Sequence, residues 1–173
     1  MAVFGLLSTN SASAAGYHGS WNSFQGRGAV PPLGFQLYCL EHPQNCRASG
    51  KSSVQATGNM MATLMQVNVS VNHQIKPRNE VGDTWSVDPA YGDCEDYAMT
   101  KRSHLIGMGV PSSALRIAYV KTSWGEDHAV LVVRTDSGEF VLDNLTSAVL
   151  PIQRTGLRVV SMSSANPTQW YRG

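Results

Sequence analysis

The second half of the chain carries the clearest alternation of apolar and polar positions. Residues 115–121 alternate as a strand does, residues 128–134 and 139–144 predict two more strands, and residues 157–162 are a candidate fourth. Residues 135–138, Thr-Asp-Ser-Gly, are typical of a tight turn between the second strand and the third. The pattern therefore predicts consecutive antiparallel strands.

Helical patterns lie upstream of these strands. Residues 93–108 predict a helix that is bounded by glycines at both ends. Residues 54–75 carry both a helical stripe and a strand-like alternation, and their length favours a helix ended by Pro77. Residues 35–40 predict a short helix. A helix followed by consecutive antiparallel strands predicts an α+β domain.

The N-terminal residues favour an exported protein. A short apolar run, residues 2–7, precedes Ala-Ser-Ala at residues 12–14, which fits the small-x-small rule for signal-peptidase cleavage. No lysine or arginine stands before the run, so we interpret residues 1–14 as a truncated signal segment, with a disordered Ser/Ala tail as the alternative. A flexible segment at residues 15–30 and one domain at residues 31–173 are expected to follow.

Composition and charge exclude several classes of protein. The 173 residues suffice for one domain, and 42% apolar residues argue against disorder. Thirteen Lys and Arg against 12 Asp and Glu give a formal net charge of +1, which provides no basic surface for nucleic acid or for a membrane. No window approaches the ~20 apolar residues of a membrane-spanning helix. We expect a protein that neither binds nucleic acid nor is embedded in a membrane.

The three cysteines differ in their spacing. Cys39 and Cys46 are close together, whereas Cys94 stands alone. A disulfide between the near pair would need an oxidising compartment and would leave one thiol as a candidate nucleophile. The alternative is three reduced thiols in a cytosolic protein. No Cys-x-x-Cys pair is present, which disfavours a zinc knuckle.

Cys94 lies in the first turn of the predicted helix, where unpaired N–H groups and the helix dipole favour a thiolate and lower its pKa. A nucleophilic cysteine also needs a base and a group that orients the base. The candidates are His128, at the start of one predicted strand, and Asp143, at the end of the next. Together these residues indicate nucleophilic catalysis.

The turn between the strands tests this triad. If Thr135 pairs with Gly138, then His128 lies opposite Leu145, and Asp143 is its diagonal neighbour on the same face. A register shifted by one residue would put His128 and Asp143 on opposite faces. The register expected from a four-residue turn therefore supports the triad.

Simpler interpretations exist for the acids around the thiol. Asp93 is a candidate N-cap, and Asp96 would complete a capping box with it. Glu95 in a first helical turn complements the helix dipole. His128 alone could be an ordinary histidine at a strand end. The cluster as a whole favours the catalytic interpretation.

Three segments together resemble the bacterial transglutaminase-like cysteine peptidase family. They are Tyr-Gly-Asp-Cys-Glu-Asp-Tyr-Ala at residues 91–98, Asp-His-Ala-Val-Leu-Val-Val at residues 127–133, and Phe-Val-Leu-Asp-Asn-Leu-Thr at residues 140–146. The resemblance covers roughly residues 31–170. It implies a papain-like, transglutaminase-like core, in which the nucleophile at a helix N-terminus packs on an antiparallel sheet.

The resemblance also implies roles for individual residues. Cys94 matches the nucleophile, His128 the general base and acid, and Asp143 the residue that orients the imidazole. Asp93 and Glu95 match acidic residues that bind calcium in the family, and Asp96 is expected to contribute, since such oxygen ligands suit Ca²⁺. No organic cofactor is expected.

The family includes calcium-dependent periplasmic proteases that clip large surface adhesins and are controlled by an inner-membrane cyclic-di-GMP receptor. The resemblance therefore implies a periplasmic or secreted endopeptidase with a protein substrate. Two alternatives stay open: transglutaminase- or amidase-type acyl transfer through the same thioester, and a calcium-responsive binding module without catalysis.

Other candidates for the site are less specific. The backbone N–H of Cys94 is a candidate oxyanion donor. Asn68, Asn72 and Trp85 are candidates for direct contacts in the site, but Trp85 could equally be a core residue and the two asparagines the polar edge of a helix.

Overall fold

The computed structural model describes residues 27–79 and 82–173. The predicted signal segment, residues 1–14, and most of the predicted flexible segment, residues 15–30, lie outside the described residues. Within the described part, Gly28–Ala29 already forms a strand, just before the expected start of the domain at residue 31.

Three α-helices and three short 3-10 helices are present in the described part. The α-helices are α1 (Leu33–Glu41), α2 (Gly58–Gln74) and α3 (Cys94–Gly107), and the 3-10 helices are Pro43–Cys46, Ser112–Ala114 and Ile152–Arg154. All three predicted α-helices are therefore confirmed, with ends that differ by a few residues from those expected.

The ambiguous segment before Pro77 forms α2. Thr57 caps the helix, because its hydroxyl accepts a hydrogen bond from the Met60 N–H. The buried side chains of α2 recur at helical spacing, at Leu64, Val67, Asn68 and Val71. Helical packing therefore decides the conformation, and the alternation of valines does not indicate a strand.

Nine strands are found among the described residues. They are β1 (Gly28–Ala29), β2 (Lys76–Pro77), β3 (Tyr91–Gly92), β4 (Leu115–Lys121), β5 (Asp127–Thr135), β6 (Gly138–Leu142), β7 (Leu150–Pro151), β8 (Arg158–Ser163) and β9 (Trp170–Arg172). Seven of them form one antiparallel sheet in the order β1-β9-β8-β4-β5-β6-β7. The parallel pair of β2 and β3 leads the chain into α3.

The sheet is buried on both faces. Leu131 and Val133 of β5 belong to the main core, which also contains residues of α2 and α3, whereas Val130 and Val132 belong to a second cluster with Ile152. A strand that is covered on both faces reads as a continuous apolar run, as β5 does. Helices packed on an antiparallel sheet confirm the predicted α+β class.

A disulfide joins Cys39 to Cys46, with 5.6 Å between their Cα atoms, and links α1 to the 3-10 helix that follows it. Cys94 is the remaining free cysteine. Among the described helices, none is long and apolar enough to cross a membrane.

Candidate active site

The N-terminus of α3 places Cys94 at the first helical position. Asp93 is the N-cap and forms a capping box with Asp96. The Asp96 carboxylate is fully buried and accepts hydrogen bonds from the N–H of Asp93 at 3.3 Å and of Ser86 at 2.7 Å. A Cβ atom at Gly92 would collide with this carboxylate, so the turn into α3 requires glycine there. The capping interpretation of Asp93 and Asp96 is thus confirmed.

His128 and Asp143 form a buried pair at the ends of β5 and β6. His128 Nε2 lies 2.8 Å from Asp143 Oδ1, and the two residues are only 5% and 7% exposed. Burial alone would raise the pKa of Asp143. The hydrogen bonds from His128 and from the Leu145 N–H, with the charges of His128 and Lys101, outweigh burial and lower that pKa.

The strand register is the one that the turn predicts. Thr135 pairs with Gly138 and Leu131 with Leu142, and Asp143 follows directly after the ladder ends. This register places Asp143 within reach of His128 on the neighbouring strand. The predicted contact between His128 and Asp143 is therefore present.

The thiol of Cys94 faces an acid. Its Sγ donates a hydrogen bond to Glu95 Oε2 at 2.9 Å, and the Tyr119 hydroxyl donates to Glu95 Oε1 at 2.8 Å. The N–H of Ala129, which follows His128, also hydrogen-bonds the sulfur. The sulfur of Cys94 therefore contacts the backbone directly after His128, but its proton is directed to Glu95.

The charge around Cys94 opposes a thiolate in this arrangement. Burial raises the pKa of the thiol, and the nearby Glu95 carboxylate raises it further, while the Ala129 N–H lowers it less. The prediction of a lowered pKa is wrong here, because burial and Glu95 outweigh the helix N-terminus. An activated thiolate would need this negative charge to be neutralised or moved.

The three acids near Cys94 do not form one cluster. Asp93 is a side-chain hydrogen-bond partner of Glu95, whereas the oxygens of Asp96 accept the backbone N–H groups of the cap. In residues 27–79 and 82–173, no group of three or more His, Cys, Asp or Glu side chains could hold a metal ion. The contact between two carboxyl groups nevertheless suits a cation, because otherwise they must share a proton.

Asn68 and Asn72 reach the loop that carries Asp143. Asn72 Nδ2 donates to the backbone oxygens of Asp143 at 2.9 Å and Thr146 at 3.1 Å, and Asn68 Nδ2 donates to Thr146 O at 2.9 Å. The two amides thus fix this loop to α2. Asn68 is fully buried, so the two amides are not simply a solvated helix edge.

Trp85 belongs to the core. It is buried and packs edge-to-face on Phe35 at 5.4 Å between ring centres. Its indole N–H donates to Asp83 Oδ1 at 2.6 Å, and Asp83 Oδ2 accepts the Gly34 N–H at 2.6 Å. Through Asp83, Trp85 therefore helps to hold the loop before α3 against the N-terminus of α1.

Two residues of the site were missed by the sequence analysis, Tyr119 and Lys101. Tyr119 lies on β4 and anchors Glu95, and Lys101 is buried near Asp143. The only sequence signal for Lys101 was its place seven residues after Cys94, on the same helix face. Tyr119 carried no signal beyond its position in a predicted strand.

A free thiol at a helix N-terminus and a buried His–Asp pair on neighbouring strands are features of papain-like and transglutaminase-like cysteine enzymes. The model of the bacterial transglutaminase-like cysteine proteinases matches residues 25–172, and the chain belongs to this family. It is a cysteine peptidase, and the family expected from the three segments is confirmed.

Solved structures of LapG from Legionella pneumophila are similar to this chain. The calcium-bound form has 28% sequence identity and a TM-score of 0.58, over 69% of this chain and 74% of that chain. The EGTA-treated form has 26% identity and a TM-score of 0.58, over 69% and 70% of the two chains. No curated protein sequence matches the chain. The structural similarity supports the transglutaminase-like fold.

Proposed function

We propose that this cysteine peptidase is an endopeptidase that cleaves a peptide bond of a secreted or cell-surface protein. The observation that carries the proposal is the buried 2.8 Å contact between His128 and Asp143, together with a free thiol at the start of α3 that the N–H of Ala129 contacts. In this proposal Cys94 is the nucleophile, His128 the general base and acid, and Asp143 the residue that orients the imidazole.

The proposed reaction proceeds through a thioester. His128 takes the proton of Cys94, and the thiolate attacks the scissile carbonyl, while the backbone N–H of Cys94 is available to the developing oxyanion. His128 then gives the proton to the leaving amine as the C–N bond breaks. Water, deprotonated by His128, hydrolyses the thioester and returns Cys94 to the thiol.

We extend the proposal to a calcium ion held by Asp93 and Glu95. Their contacting carboxyl groups fit a hard cation, and Asp96 would contribute by holding the N-cap in place. A bound Ca²⁺ would supply positive charge beside a thiol whose pKa Glu95 now raises. The similarity to a calcium-bound LapG supports this assignment.

The proposed location is the periplasm or the cell exterior. The disulfide between Cys39 and Cys46 supports it, because such bonds persist in oxidising compartments. From the family resemblance we infer a large surface adhesin as the substrate and an inner-membrane cyclic-di-GMP receptor as the regulatory partner.

The function can be tested on cells that produce the wild type or Cys94→Ala. Labelling of new protein N-termini, with calcium or with EGTA, should reveal cleavage of a surface protein only with the intact thiol and calcium. Cys94→Ala cells that show the same cleavage would contradict the proposal.

Adding a biotinylated alkyl amine to the same cells distinguishes the two alternatives. Thiol-dependent incorporation of the amine without new N-termini would indicate acyl transfer, because the amine would then replace water in resolving the thioester. Full retention of every cellular effect in Cys94→Ala would indicate a binding module.

A further inference from the structure

Two hydrogen bonds connect the sheet to the thiol through one carboxylate. The Tyr119 hydroxyl of β4 donates to Glu95 Oε1 at 2.8 Å, and the Cys94 thiol donates to Glu95 Oε2 at 2.9 Å. Each oxygen of the carboxylate therefore accepts one of the two donors. Hydrogen bonds to an ionised acceptor are stronger than those between neutral groups. The position of Glu95 is thus fixed from the sheet on one side and from the thiol on the other.

The contact between Cys94 and Glu95 is not one that a helix provides by itself. The two residues are adjacent in the first turn of α3, and side chains at neighbouring helical positions do not face each other. An acidic residue in a first turn also needs no side-chain partner, because the helix dipole already favours it. A group outside α3 must therefore draw the Glu95 carboxylate towards the thiol, and the Tyr119 hydroxyl is the group from the sheet that binds it.

The sheet brings Tyr119 to this position. Tyr119 pairs directly with Ala129 of β5, the residue whose N–H contacts the Cys94 sulfur, and directly opposed residues carry their side chains on the same face. On the other side of β4, the pairing with β8 shifts by one residue between Tyr119 and Val120, and Val160 is the extra residue. A bulge of this kind increases the local twist and re-aims neighbouring side chains. Tyr119 therefore extends from the pair of strands that approaches the thiol.

The ring of Tyr119 is held independently of its hydroxyl. Its centre lies 6.2 Å from that of Trp85 and 6.4 Å from that of Trp170, and the ring packs against the main core. These contacts would persist in a phenylalanine at the same position, because they involve the ring alone. Removal of the hydroxyl is therefore expected to release Glu95 without unfolding the protein.

We propose that Tyr119 is a positioning residue of the active site, whose hydroxyl holds Glu95 on the Cys94 thiol and thereby withholds the thiol proton from His128. The inference rests on the proposed role of Cys94 as the nucleophile. A thiol has one proton to donate, so its hydrogen bond to Glu95 must break before His128 can take that proton. Tyr119 acts through Glu95 and not on the substrate.

The test compares Tyr119→Phe with Tyr97→Phe. Tyr97 is the matched control, because its hydroxyl also donates one hydrogen bond, in this case to the backbone oxygen of Ile75 at 2.7 Å. The other two cysteines form the disulfide, so the S–H stretching band of the intact protein belongs to Cys94 alone. The frequency of this band falls when the thiol donates a hydrogen bond. The band is recorded by infrared spectroscopy in EGTA at about pH 6, where a thiol is protonated.

The wild type should show the low frequency of a donating thiol. In Tyr119→Phe the band should move to higher frequency, and alkylation by iodoacetamide in EGTA at about pH 8 should become about fivefold faster, as expected for the loss of one hydrogen bond. Tyr97→Phe should change neither property. Glu95→Ala should show the same shift as Tyr119→Phe, and combining the two substitutions should add nothing, because Tyr119 acts through Glu95.

A wild-type band at the frequency of a thiol without an acceptor, or the absence of an S–H band, would overturn the inference, and neither result depends on a variant. A band that stays at low frequency in Tyr119→Phe or in Glu95→Ala would overturn it as well. So would a shifted band without faster alkylation, or a double variant that differs from Glu95→Ala. Cleavage of the surface protein by Cys94→Ala cells would instead contradict the proposed function, whatever the frequency of the band.

Discussion

The active site joins two regions that differ in how far they are prepared for the proposed reaction. On the strand side, His128 and Asp143 already make the buried hydrogen bond that the mechanism uses. On the helix side, Cys94 lies at the start of α3, but its thiol donates to Glu95 and its pKa is raised. The first region is set by strand register, and the second by the local charge.

The position of the His–Asp pair and the activation of the Cys94 thiol are therefore set by different parts of the molecule. Asp143 is held by a backbone N–H, by His128 and by an amide of α2, so few alternative positions are open to it. The Cys94 sulfur is held by the Ala129 N–H and by the Glu95 carboxylate, whose charge a cation or a proton could neutralise. We therefore expect the reaction to be controlled through the charge around Cys94. Substitutions around Asp143 are expected instead to disrupt the geometry of the site.

The largest effect is expected from breaking the strand side with His128→Gln. Glutamine cannot accept and return the proton, so cleavage of the surface protein should fall by about 10³-fold. The cleavage rate in the presence of calcium provides the measurement, with His104→Gln on the far turn of α3 as the control. A His128→Gln protein with wild-type cleavage would exclude His128 as the base.

Neutralising Glu95 should make the Cys94 thiol better prepared for the proposed reaction, as the His–Asp pair already is. Because the carboxylate raises the pKa of Cys94, Glu95→Gln should lower that pKa and increase the thiolate fraction at every pH below it. Alkylation by iodoacetamide at about pH 8 in EGTA should become about tenfold faster, and the response to calcium should shrink. The exposed Glu126→Gln serves as the control, and equal rates in the two variants would contradict this account.

A smaller effect is expected from removing the contacts that hold the Asp143 loop to α2. Asn72→Ala removes the hydrogen bonds to the loop that begins at Asp143, so the free energy of unfolding should fall by about 1–2 kcal/mol. Cys94 alkylation should slow by severalfold as His128 loses its partner's fixed position. Gln74→Ala, near the end of the same helix, should change neither property by a comparable amount.

The smallest effect on the site is expected from reducing the disulfide. It joins α1 to the following 3-10 helix and none of the strands that carry His128 or Asp143. The paired substitution of Cys39 and Cys46 by serine should lower the free energy of unfolding by about 2–3 kcal/mol, with Cys94 reactivity changed by less than about twofold. A collapse of reactivity in a folded variant would show that the two regions depend on this bond.

The strand side could be predicted because a short turn determines register. Once Thr135 pairs with Gly138, the positions of His128 and Asp143 follow from the period of two along each strand. The same reasoning missed β9, because its three residues are too short to show alternation, and its partner β1 has only two. The family resemblance supplied the class of enzyme, which register alone does not define.

The helix side could not be predicted to the same depth. Glu95 turns towards Cys94 because Tyr119, distant in sequence, binds its other oxygen. Lys101 breaks the usual preference of lysine for exposed positions, so hydrophobic patterning gave no reason to place it in the core. Both cases depend on contacts between segments that meet only in the folded chain.

The hydrogen bond from Cys94 to Glu95 also has a consequence for the lifetime of the protein. Oxidants and disulfides react with the thiolate, so a thiol kept protonated is oxidised slowly to the sulfenic acid and exchanges slowly with the Cys39–Cys46 bond. The compartment that we propose forms that disulfide and would also attack an exposed reactive sulfur. If Cys94 is the nucleophile as proposed, Glu95 would slow its oxidation for as long as no cation neutralises the carboxylate.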